Sequence, residues 1–169
     1  MGRACRQLKR GATYKVTAKV NRDNMELKDN EIKELFLTTV IRAKERYAFL
    51  IKNFVILHNC VHILIEPLGD ESLSSIMQWI LSVFTKHYNK RHKIKGHLWR
   101  ARFISEIISS ILDYIYKTEE IDNLAVNIQL VVKSEEFKYS GLYHKLNKIY
   151  TIMEKTKDRR NLRLEFKTE

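Results

Sequence analysis

The chain has 169 residues, 44 % hydrophobic and 30 % charged, a balance that suits one globular domain with its own core. Lys and Arg outnumber Asp and Glu by 31 to 20, a net charge of +11 that points to a polyanionic partner, nucleic acid first. No stretch approaches the ~18 uninterrupted apolar residues of a membrane span, and the opening MGRACRQLKR lacks the apolar core of a secretion signal, so a cytoplasmic location and no membrane partner are expected.

From Ala12 to Val20 the apolar Tyr14, Val16, Ala18 and Val20 alternate with Lys15, Thr17 and Lys19, which predicts a half-buried strand. Asp29 or Asn30 can cap a helix of about four to five turns, in which Ile32, Leu35, Phe36, Val40, Ala43 and Tyr47 share one face. Phe49 to Leu57 and Val61 to Glu66 read as two strands joined by a tight turn at His58 and Asn59. Ser72 caps a second amphipathic helix through Tyr88, which runs into KHYNKRHKIKGH. A short fourth strand follows around Phe103 to Ile107, then a third helix from Ser109 or Ser110. The order β, α, β, β, α, β, α is that of an α+β, ferredoxin-like domain, an antiparallel sheet with helices packed on one face. Residues 1–150 are assigned to this domain and 151–169 to a basic C-terminal tail.

The two cysteines, Cys5 and Cys60, form no CxxC pair, so neither a disulfide nor a structural zinc is expected. Cys60 and His62 lie two apart on a predicted strand, which puts both on one face with Cα atoms about 7 Å apart; such a pair can share a metal ion, although core packing is the commoner use. His58 has the same parity but would lie about 13 Å from His62 in an extended chain, so a solvent-facing turn residue is preferred to a third ligand.

The segment FVILHNCVHILIEP resembles the His-hydrophobe-His segment of the IS200-like (HUH) tyrosine transposases, the group associated with repetitive palindromes, with Cys60 in place of the first histidine. The resemblance continues through GATYKVTAKVNR, EIKELF, RAKERYAF, ESLSSIMQWILSVF, GHLWRARF and EEFKYSGLYH, in order, over roughly residues 1 to 146. It implies a domain that binds hairpin or single-stranded DNA and cuts it with a tyrosine nucleophile, helped by Mg2+ or Mn2+, in DNA transposition. It also implies a homodimer as a partner form, since dimers are common in the wider group. The family's tyrosine sits on the third helix, and by this resemblance Glu120 stands in its place, with Leu124 where a polar residue belongs. A carboxylate brings negative charge toward a phosphate and cannot form the usual covalent link. A thiolate likewise favours softer metals than magnesium. Tyr116, one turn before Glu120, is the candidate substitute nucleophile.

The DNA-binding candidates are Lys90, Arg91, Lys93 and Lys95, followed by Trp99, Arg100 and Arg102, which combine phosphate-directed charge with an aromatic able to stack on a base. A solvated loop with Trp99 in the core is the competing reading. Arg3, Arg6, Lys9 and Arg10 form a candidate basic arm. The expectation is a DNA-binding domain of transposase type with impaired cleavage. Its rivals are a non-catalytic nucleic-acid-binding protein, and a metal-dependent nuclease using Tyr116 or water with Glu120 as base or ligand.

Overall fold

Alternation in the first strand organises the sheet. In the computed structural model, which describes residues 9–21 and 25–155, β1 (Tyr14–Lys19) buries Tyr14, Val16 and Ala18 on one face and turns Lys15, Thr17 and Lys19 to the other. It pairs antiparallel with β3 (Cys60–Pro67) and β4 (Ile104–Ile107), and β3 pairs with β2 (Phe49–Ile56), giving the strand order β2-β3-β1-β4. This is the expected α+β, ferredoxin-like arrangement. Arg3 and Arg6 of the basic arm, and the tail from residue 156, lie outside the described residues.

The first face is covered by α1 (Asn30–Arg46) and α2 (Leu73–His92). Phe36 of α1 meets Phe84 of α2 edge-on, ring centroids 5.2 Å apart, above buried Val16, Ile63 and Phe54. Ser72 caps α2 by accepting from the Ser75 amide, whereas Asp29 caps α1 without a side-chain bond. Helix α2 runs one turn past Tyr88 and closes at Lys93 in a left-handed conformation.

The one-sided cover expected from the sequence holds only for α1 and α2. The second face is also apolar in part, because Leu64 and Val55 point there and are fully buried, so it too needs a layer against water. That layer is α3 (Ile111–Asn127), capped by Ser110 and buried at Ile121 and Ala125. Its polar ties to the sheet run from Glu120 to Lys15 and from Asp122 to Asn53.

Strand β2 changes phase partway along. Its register against β3 slips between Ile51 and Asn53, a bulge at Lys52. Ile51 and Phe54 therefore face the first layer, while Asn53 faces α3. Beyond α3, where no element is predicted, a 3-10 turn at Ser134–Glu136 leads to α4 (Gly141–Leu146), capped by Ser140. Ile56 donates its amide to Tyr139 at 2.9 Å, so this segment covers the outer edge of β2. Ile152 and Met153, in the segment assigned to the tail, are buried. Among the described residues, no helix is long and apolar enough to cross a membrane.

Candidate functional site

The second face gathers most of the residues singled out for chemistry. Antiparallel pairing sets His62 opposite Thr17, Cys60 opposite Lys19, and Glu106 opposite Lys15, and α3 lies over them. Lys15, only 5 % exposed, donates to Glu120 Oε1 at 2.6 Å. Lys117 donates to Glu106 Oε2 at 2.6 Å and stands 3.8 Å from Glu120 Oε2. Four charges of alternating sign thus connect β4, α3 and β1. The Lys117 bond holds the Glu106 carboxyl below its ordinary range and the Lys117 ammonium above its own. Glu120 Oε2 is buried with no hydrogen-bond partner among the described residues.

His62 and Cys60 project from the same face and touch. The His62 Nδ1 atom lies 3.0 Å from Thr17 Oγ1, and its Nε2 atom 3.5 Å from Cys60 Sγ. Burial, and then the nearby Lys15, push His62 down to about 4, and burial raises the Cys60 thiol. At neutral pH the pair is an uncharged imidazole beside a protonated thiol.

The magnesium or manganese implied by the resemblance finds a poor match in these residues. Among the described residues no three His, Cys, Asp or Glu side chains come together as a ligand set. The Glu120 carboxylate, a hard oxygen donor, is bonded to the Lys15 ammonium, and a protonated thiol suits neither metal. His58 is apart from this face: it sits in the β2–β3 turn, where burial and the charges of Lys33 and Lys28 lower its pKa, and its carbonyl accepts from the Leu27 amide.

On α3, Glu120 points inward while Tyr116 is 64 % exposed, its ring beside the Lys117 ammonium. Tyr114 is partly buried, which raises its pKa. Leu124 packs against the core. Asn53 and Asp122, not singled out as site residues from the sequence, form a second tie: Asn53 Nδ2 donates to Asp122 at 2.8 Å, and Asn53 Oδ1 accepts from the Phe54 amide. Lys15, Thr17 and Lys117 were likewise missed as site residues. The alternation in β1 already placed Lys15 and Thr17 on one face, and pairing with β3 would have brought them to His62.

The basic residues divide. Arg91 is paired with Glu31, and Arg10 with Asp70 at 2.8 Å, while Lys9 bonds Tyr14 through its backbone. Lys90, Lys93, Lys95, Arg100 and Arg102 are exposed. Trp99 is partly buried: its indole N–H donates to Leu81 O at 3.1 Å, and its ring contacts Phe36 and Phe84. With Arg100 and Arg102 it also lines a cleft of about 900 Å³ against α2. Trp99 thus packs into the core on one side and borders the cleft on the other.

The family model described as "Transposase IS200 like" matches residues 10–118, more than half of the chain. Among solved structures, the chain is similar to a REP-associated tyrosine transposase bound to a REP hairpin, with a TM-score of 0.74 and 21 % identity, covering 94 % of this chain and 96 % of that one. It is also similar, at a TM-score of 0.48 and 10 % identity, to a crystal structure from Deinococcus radiodurans R1 whose transposase role is itself inferred; that match covers 73 % of this chain and 97 % of the other. No curated protein matches the sequence.

Proposed function

The chain belongs to the IS200-like transposase family, and from that premise we propose that it binds single-stranded or hairpin DNA on a face that no longer carries out phosphotyrosine cleavage. The observation that carries this reading is the ion pair between Glu120 and the buried Lys15. At the position where the resemblance places a nucleophile, a carboxylate is fixed to an ammonium, and it can neither attack phosphorus to leave a phosphotyrosine nor welcome a phosphate. The donor set around Cys60 and His62 adds to the case, since among the described residues no cluster of three His, Cys, Asp or Glu side chains forms there, and a neutral thiol and imidazole suit magnesium or manganese poorly. DNA binding draws its support from the exposed cations between the end of α2 and β4, and from the likeness of the fold to a protein bound to a REP hairpin.

A labelled DNA hairpin with a single-stranded flank, incubated with the protein and manganese or magnesium, tests the proposal on native and denaturing gels. The expected result is a retarded complex on the first, with neither shortened DNA nor a protein-linked band on the second. A covalent band lost in Tyr116→Phe would establish a relocated nucleophile. Metal-dependent cutting without a covalent product would establish a hydrolytic nuclease instead, and either would overturn the proposal.

A further inference from the structure

The cleft beside Trp99 is separate from the Glu120 site and has its own chemistry. Its volume, about 900 Å³, falls at the upper end of the roughly 300–1,000 Å³ of small-molecule pockets. One wall is α2, where Ser74, Gln78, Ser82 and Thr85 follow one another at helical spacing. The opposite wall is the segment 97–103, with Trp99 and buried Leu98 and Phe103. No carboxylate is among the lining residues, and the charges that are present, Arg100 and Arg102, are positive.

This combination selects among ligands. Uncharged hydroxyl and amide groups along one side, with apolar and aromatic surface along the other, suit a flat heterocycle whose edge offers donors and acceptors. Guanidinium groups on the same wall suit a phosphate attached to it. A lipid would leave the polar stripe of α2 unmatched, and an acidic peptide would leave the aromatic wall unused. The cleft also adjoins the proposed DNA-binding face, because the Arg100 amide donates to Lys19 O at 2.9 Å and Lys19 lies across from Cys60.

Building on the proposed DNA binding, we infer that this cleft takes an unpaired nucleotide of the bound strand, the base against Trp99 and the α2 stripe, its phosphate toward Arg100 and Arg102. Gln78 and Ser82 are the residues that meet the edge of the base. The cleft therefore makes the protein prefer unpaired DNA over duplex, and DNA-borne nucleotides over free ones.

The test is a fluorescence anisotropy titration at fixed salt with a labelled single strand and the blunt duplex of the same sequence, with deoxynucleoside monophosphate as a competitor. Ser82→Trp, which fills the cleft from an exposed helix position, is expected to weaken single-strand binding about tenfold, the value of one lost base stack, and to leave duplex binding unchanged. Gln78→Ala, a milder change at another exposed helix position, is expected to weaken single-strand binding severalfold in the same selective way, with circular dichroism confirming the fold of both variants. Equal effects on strand and duplex, or none on either, would overturn the cleft while DNA binding stands. Displacement of the strand by the monophosphate at comparable concentration would show a free-nucleotide pocket and overturn the strand-borne assignment. Failure of the unaltered protein to bind either DNA would overturn the proposed function together with this inference.

Discussion

A buried ammonium depends on its counter-charge more than a partly exposed carboxylate does, because water can solvate only the latter. The Lys15 side chain is 6 % exposed and that of Glu120 35 %, so the two halves of the pair are unequal. Glu120→Leu leaves Lys15 with an uncompensated charge and is expected to cost on the order of 2 kcal/mol. Lys15→Met leaves the buried Oε2 of Glu120 with Lys117 while the rest of the side chain stays partly open to solvent, and is expected to cost less than Glu120→Leu. Urea denaturation of the two variants measures the difference, and equal losses would mean that the pair is solvated from both sides. His62 gives a second prediction at this scale. Its folded pKa, about 4, lies below the ordinary 6.5, so the unfolded chain binds the proton first as pH falls. The stability associated with neutral His62 is complete above pH 6.5 and is lost as pH drops through the window down to about 4, up to about 3 kcal/mol in all. Thermal melting across that range should fall more steeply in the unaltered protein than in His62→Gln, and parallel curves would assign the acid sensitivity to other groups.

The elements that periodicity reveals are the ones the chain displays in its sequence. Strands β1 to β4 and helices α1 to α3 appear within a few residues of their predicted positions, because alternation and amphipathic spacing are local properties. Two features are not local. The cover on the second face follows from Leu64 and Val55, whose orientation is known only once β3 is paired and the bulge in β2 is placed. Helix α4 is six residues long and buries only Gly141 and His144, too short a stretch to show a helical period. Of the candidate site, Cys60, His62 and Glu120 were singled out residue by residue, but their network was not visible, since Lys15 and Glu120 are 105 positions apart. Gly141 tests how tightly α4 is seated. A Cβ added there would lie 2.0 Å from Asn53 Oδ1 and 3.0 Å from the Phe54 nitrogen, and Asn53 cannot yield without losing its bonds to Phe54 and Asp122. Gly141→Ala is expected to destabilise the protein by about 1–3 kcal/mol in denaturant unfolding; a cost near zero would mean that α4 lifts away from β2 freely.

Taken whole, the molecule carries its surplus of positive charge unevenly. Glu31, Asp70, Glu106 and Glu120 are committed to ion pairs with Arg91, Arg10, Lys117 and Lys15. Lys90, Lys93, Lys95, Arg100 and Arg102 are exposed on the stretch between the end of α2 and β4. DNA affinity should therefore fall steeply with salt, by a log-log slope of about 0.7 to 0.9 for each phosphate neutralised. Replacing Lys93 and Lys95 together by Gln is expected to lower that slope by about 1.4 to 1.8 without changing sequence preference. An unchanged slope would place the phosphate contacts elsewhere on the surface.

The bulge at Lys52 makes β2 a strand with two halves of opposite phase. Upstream of it, odd-numbered side chains serve the layer formed by α1 and α2; downstream, even-numbered ones do. A deletion of Lys52 would remove the bulge and leave Ile51, Asn53 and Phe54 alternating without a break against Ile65, Leu64 and Ile63, whereas a regular strand that kept Lys52 would turn Asn53 toward α1 and α2 and Phe54 toward α3. The tie from Asn53 to Asp122 on α3 is therefore kept in phase by Lys52, a residue that the β3 register skips.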